Sequence, residues 1–263
     1  QRRMGICRFS QSGETADTHA ALKLAKERGA ATLSIVNVKG STIARESDHV
    51  IYTHAGPEIS VASTKAYSVQ LSIMYLLAFE LAYVKGVITE ALVSIPDNLK
   101  EVLEMKERCQ FIASRLVNSD SLLYIGRGLD YALSMEGSLK LKEISYIHSE
   151  SYAAGELKHG TISLVTQDMP VIAVATQSDL MDKTISNVVE VKSRGAKVTM
   201  ICSEDLDVDK NVANHLVKLP KIDDLLMPLL AAVPMQYIAY YTAVLKGCNV
   251  DQPRNLAKSV TVE

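Results

Sequence analysis

The chain repeats part of itself 166 residues apart. Ser10-Gln11-Ser12 returns as Thr176-Gln177-Ser178, and Arg28-Gly29-Ala30 returns as Arg194-Gly195-Ala196 (176 − 10 = 166; 194 − 28 = 166). Thr18 falls on Thr184 and His49 on His215 in the same register. Several matches at one offset describe two copies of one folding unit, so the fold must accommodate two similar domains in tandem. Only the first copy keeps the full turn Ser10-Gln11-Ser12-Gly13-Glu14-Thr15, with its glycine and three hydroxyls. That asymmetry points to the first copy as the one that grips an anion.

Between the repeated segments, helical and strand patterns alternate. Ala20, Ala21, Leu24 and Ala25 recur at helical spacing and stop at Gly29. Residues 32–38 and 49–53 read as buried strands, and a helix follows over about 64–83. Residues 89–117 are helical and bridge the two copies. The second copy opens with a strand at 121–125 and the turn Gly126-Arg127-Gly128, then a helix over 130–146. Strands at 171–175, 197–202 and 215–219 and helices at 179–194 and 228–245 complete it. Apolar strands alternating with helices predict an α/β protein, each domain a parallel sheet with helices on both faces. The expected boundaries are 1–87 for the first domain, 88–117 for a helical connector, 118–250 for the second domain and 251–263 for a tail. By symmetry with the second copy, roughly 50 residues of βα structure should precede Ser10. Nine are present, so the first domain is expected to lack its N-terminal strand and helix.

Composition excludes several classes. A net charge of −2 gives no electrostatic case for nucleic acid or an anionic membrane as the main partner. No uninterrupted apolar run reads as long enough to span a bilayer. The four cysteines, Cys7, Cys109, Cys202 and Cys248, are scattered without metal-ligand or disulfide spacing, which points to a reducing cytoplasm. The six histidines form no HxH or HExxH motif, and neither a metal nor a cofactor is expected.

Four segments carry chemistry. Ser10–Thr15 offers hydroxyls and an amide where a strand ends and a helix begins, a setting that favours a phosphate monoester. The same residues serve equally as an ordinary helix cap. Glu136, Lys140 and Glu143 share one helical face, either as a proton-transfer pair or as a solvated salt bridge. His159 lies in Gly155-Glu156-Leu157-Lys158-His159-Gly160, a loop histidine able to act as acid or base, or an incidental surface residue. Lys258, in the tail, is a candidate amine nucleophile if shielded and a solvated lysine otherwise.

Taken together, Ser10–Thr18, His54–Glu58, Val61–Lys65, Leu139–Tyr146, Gly155–Gly160 and Asp251–Glu263 resemble the isomerase half of the glucosamine-6-phosphate synthase family. The resemblance covers the chain from Ser10 onward and implies two sugar-isomerase (SIS) domains of three-layer αβα form. It implies that Ser10, Gln11, Ser12 and Thr15 bind the phosphate of fructose 6-phosphate, with Val61, Ser63 and Ala257 close to the sugar. Lys258 would hold the open-chain ketone as an imine, and Glu143 would carry a proton between C1 and C2 beside Lys140. His159 would assist ring opening in a neighbouring subunit, which implies a homodimer. The product would be glucosamine 6-phosphate, its ammonia drawn from glutamine by a glutaminase domain absent from this chain. A stand-alone hexose-phosphate isomerase or deaminase and a non-catalytic sugar-phosphate sensor remain as alternatives. The sensor needs the cradle but has no use for Lys258, Glu143 and His159 together.

Overall fold

The computed structural model describes residues 5–82, 87–209 and 211–258. They form two compact units, Gln1–Tyr83 with Arg254–Glu263 and Val84–Pro253. In the first unit, β1 (Gly5–Ser10), α1 (Ala16–Glu27), β2 (Ala31–Val36), α2 (Thr42–Glu46), β3 (His49–Tyr52) and α3 (Lys65–Leu81) follow in order. The sheet is parallel in the order β1-β2-β3. Leu22 of α1 and Ile43 and Ala44 of α2 pack with Val36, Val50 and Tyr52, so both helices cover one face. The register sets Ser10 beside Val36 and Val36 beside Tyr52, so the three strands end level. Strand β1 and the short α2 carry weak apolar patterns.

The second unit begins with α4 (Val87–Leu103) and α5 (Lys106–Ser114), the stretch expected to be a connector. Both pack against the last helix of this unit. Then come β4 (Ser121–Gly126), α6 (Leu129–Ser145), β5 (His148–Ala153), 3-10 turns at Ala154–His159 and Thr161–Leu164, and β6 (Pro170–Ala175). A 3-10 turn at Ser178–Leu180 leads into α7 (Met181–Ser193), β7 (Lys197–Ser203), β8 (His215–Leu219) and α8 (Met227–Leu245). The sheet is parallel in the order β5-β4-β6-β7-β8. Alternate residues Leu123, Ile125, Val171, Ala173, Val198 and Met200 meet Met181, Val188 and Val191 of α7 on one face. On the other face, Tyr124 lies against α6 where Gly137 also meets Met235 of α8. Helices therefore cover both faces, as the alternating pattern requires.

The recurring Arg-Gly-Ala has a physical cause. Ala30 N–H donates to Ala25 O at 3.0 Å and Gly29 N–H to Lys26 O at 2.9 Å. Ala196 N–H donates to Val191 O at 3.3 Å and Gly195 N–H to Lys192 O at 2.9 Å. Each is a Schellman cap, closed by a glycine at φ +74° or +95°. The following strands start alike too: Thr32 N–H donates to Asp48 Oδ2 at 2.9 Å, and Val198 N–H to Asn214 Oδ1 at 2.8 Å.

One expectation is corrected. Helix α8 is 19 residues long with a mean hydropathy of 1.2, enough by length and composition to cross a membrane. Of that window 61% is buried, against α4, α5 and α6, so its apolarity serves the core of the second unit.

Candidate active site

The level strand ends of the first unit gather its loops on one edge of the sheet. Such edges hold ligands in open α/β sheets. The buried Ser10 closes β1, and its Oγ lies 3.0 Å from Thr15 Oγ1 and accepts Gly13 N–H at 3.0 Å. Ser12 Oγ accepts Glu14 N–H at 3.2 Å. Thr15 is the N-cap of α1, yet no side chain caps that helix. The cap reading of the turn therefore fails for Thr15, whose hydroxyl points back to Ser10.

Two contacts clamp this turn onto α2. Gly13 O accepts Ile43 N–H at 3.0 Å, and Glu14 Oε1 accepts Thr42 N–H at 2.8 Å. The Thr42 amide holds the Glu14 carboxyl below its ordinary value. Gly13 sits at φ +69°, and a Cβ there would come within 2.0 Å of Ser41 Oγ. Only glycine fits both the dihedral and the space.

The β3–α3 loop is organised by two residues that the sequence pattern did not single out. Asn37 Oδ1 accepts the Thr53 hydroxyl at 2.8 Å and Ala55 N–H at 3.0 Å, while its Nδ2 donates to Gly56 O at 2.8 Å. Glu58 accepts the Ser63 hydroxyl at 2.9 Å and Thr64 N–H at 2.7 Å, so the candidate Ser63 is oriented by a carboxylate. Val61 is half-buried between them. Lys258 Nζ donates to Ser60 O, which brings the tail lysine to the residue before Val61. Lys258 and Ala257 are exposed. The remainder of the expected tail, 259–263, lies outside the described residues. Gln11 meets Gln70 of α3 at 3.5 Å.

In the second unit, Lys140 is 5% exposed. Its Nζ lies 2.6 Å from Glu143 Oε2 and 3.7 Å from Glu136 Oε1. A solvated salt-bridge face is therefore not what α6 presents. Burial pushes the Glu136 carboxyl upward, opposed by the Lys140 charge. One ammonium between two carboxylates fixes Glu143 in place and offers it a proton partner. His159 is exposed at the end of its 3-10 turn and bonds to neither Lys140 nor Glu143.

The segment that echoes Ser10–Ser12 is occupied from within. Asp130 Oδ2 accepts Thr176 N–H at 2.7 Å and Gln177 N–H at 3.3 Å, and Oδ1 accepts the Thr176 hydroxyl at 2.6 Å. Asp224 Oδ2 accepts Ser178 N–H at 2.6 Å. Asp130 is 1% exposed, and burial raises its pKa against the pull of these donors. Two carboxylates of the unit itself thus take the donors that an anion would need. The sequence reading missed both; the signal available was an aspartate in the first turn of the helix after Gly126-Arg127-Gly128.

Comparison with known proteins agrees with this geometry. The SIS domain family matches residues 3–79 and 115–246. The chain belongs to the SIS domain family. Within it, a glutamine–fructose-6-phosphate aminotransferase (isomerizing) of Clostridium acetobutylicum is 50% identical over 97% of this chain and 43% of its own length. The relative of that name from Caldanaerobacter subterraneus subsp. tengcongensis is 53% identical with the same coverage. The solved C-terminal domain of glucosamine-fructose-6-phosphate aminotransferase from Francisella tularensis superposes with a TM-score of 0.88 at 36% identity, over 94% of this chain and 72% of that one. This SIS chain matches the C-terminal isomerase part of those enzymes and spans 43% of the curated relatives' length. The α/β fold of two helix-flanked parallel sheets is therefore that of the SIS isomerase domains.

Proposed function

We propose that this chain supplies the isomerase chemistry that turns fructose 6-phosphate and ammonia into glucosamine 6-phosphate. The observation that carries this reading is the Lys140–Glu143 pair at 2.6 Å, its ammonium buried and its carboxylate partly exposed. A sugar-phosphate sensor needs an anion cradle, but it does not need a partly exposed carboxylate held beside a buried ammonium.

The roles follow from the chemistry. Ser10, Gln11, Ser12 and Thr15 hold the phosphate, with Val61, Ser63 and Ala257 along the sugar. His159 moves a proton in ring opening. The Lys258 amine adds to the C2 ketone and water leaves, giving an imine that acidifies the C1 hydrogen. Glu143 removes the proton from C1 and returns it to C2, with Lys140 orienting it. Ammonia replaces the lysine while C2 is still an imine, before the proton moves from C1 to C2, and so frees the lysine amine. Two copies of one unit, bounded near 1–87 and 118–250 with a connector between and a functional tail, make up the assembly we propose. A homodimer, a glutaminase partner domain and a cytoplasmic setting complete the reading; the relatives' printed use of glutamine supports the second and four cysteines outside any disulfide the third.

Incubation with fructose 6-phosphate and borohydride tests the imine. The expected mass spectrum shows a reduced hexose phosphate adduct on Lys258. Binding without an adduct would favour the sensor. Glu143→Gln should slow solvent deuterium entry at C1 by about 10²-fold or more.

A further inference from the structure

We infer a second anion site, for a phosphoryl group, in the cleft at the carboxyl end of the second unit's sheet. Strand order there runs β5-β4-β6, so the chain leaves β4 to one side and returns on the other. Crevices at such reversals, beyond the strand ends, are where open α/β sheets place ligands. A cleft of about 420 Å³ lies there, lined by Arg127 from the turn after β4, by Gly155 and Lys158 after β5, and by Lys183, Ser186 and Asn187 of α7 after β6. That volume suits a small metabolite.

The donors are built in. Asn187 is 3% exposed. Its Oδ1 accepts Arg127 Nε at 3.2 Å and Nη2 at 2.9 Å. Asn187 lines the cleft, so its side-chain amide forms part of the cleft wall. Gly155 lets the guanidinium lie close: a Cβ there would sit 3.0 Å from Arg127 Nη2. Lys183 and Ser186, three residues apart on α7, line the same cleft and can supply an ammonium and a hydroxyl. Lys158 shares its charge with Glu190 at 3.1 Å. Against these three cations the lining carries one carboxylate, Asp182. The remaining N–H groups of Arg127, with an amide, a hydroxyl and an ammonium around one small space, suit the several acceptor oxygens of a phosphate better than the two of a carboxylate.

The turn of β6 cannot serve this purpose, because Asp130 and Asp224 already fill it. The cleft does not depend on the roles proposed for the first unit.

Amide NMR spectra of the full chain, titrated with inorganic phosphate, test this site. The Asn187 side-chain amide should shift saturably, with no such response to chloride at matched ionic strength. Lys183→Gln should weaken that response about fivefold or more, and Ser186→Ala by a smaller factor. Ser12→Ala should leave it unchanged, which separates this site from the first unit's cradle. Tighter binding of glucose 6-phosphate than of inorganic phosphate would identify an organic phosphomonoester as the ligand, and equal affinity the free ion. A non-saturating shift, or one insensitive to both α7 variants, would overturn the proposal.

Discussion

Two turns at the ends of matching strands have opposite fates. Ser10–Thr15 of the first unit is clamped from outside, through Gly13 and Glu14 to α2, and its hydroxyls bond to one another and to the turn's own amides. Thr176–Ser178 of the second unit has its amides and a hydroxyl closed by Asp130 and Asp224. A buried carboxylate makes the same charge-assisted contacts as a bound anion, but permanently. Whether such a turn binds or merely supports the fold therefore depends on whether the fold carries its own acid.

The largest expected effect tests the closed turn. Asp130→Ala leaves the Thr176 amide and hydroxyl buried without an acceptor, and should destabilise the protein by about 3 kcal/mol in denaturant melts. Loss of less than a few tenths would mean that the carboxylate does not hold the turn. The same residue gives the closed turn a pH signature. Its folded pKa is raised above the ordinary carboxylate value. The part of its contribution linked to protonation is thus full below that ordinary value and is lost as pH rises through the raised pKa. Asp130→Asn should flatten that part of the stability curve.

Next comes the open turn's frame. Gly13→Ala meets both the left-handed backbone and Ser41, and should cost about 2 kcal/mol or more. Gly29→Ala has the same dihedral problem in open space, so about 1 kcal/mol is expected. Equal costs would show that the Ser41 contact is relieved by movement. Smallest in stability is Ser12→Ala, within about 0.5 kcal/mol of the parent at a partly exposed hydroxyl. It should nevertheless weaken fructose 6-phosphate binding about tenfold in calorimetry.

The pattern of the chain exposed some parts of this account and hid others, for physical reasons. Apolar strands such as Val171–Ala175 and the two Arg-Gly-Ala helix stops were legible because burial and caps demand particular residues. Strand β5, His148–Ala153, gave no such signal. It is an edge strand, and its buried Ser149 is held by hydrogen bonds to Ser138 instead of by apolar packing. The Lys140–Glu143 pairing was readable from helical spacing, but its burial was not, because α8 covers α6 from far along the chain. Asn37, Glu58, Asp130 and Asp224 were missed for a related reason. Asn37, Asp130 and Asp224 act on segments that only folding brings to them, Glu58 acts within its own loop, and a lone Asn, Asp or Glu has no period to reveal it.

The contrast between the two turns can be read in one titration. With fructose 6-phosphate added to the full chain, amide NMR follows Gly13 and Thr176 together. The account predicts that the Gly13 amide shifts to saturation while the Thr176 amide, held by Asp130, stays where it is. A saturable shift at Thr176 with Gly13 unmoved would contradict it.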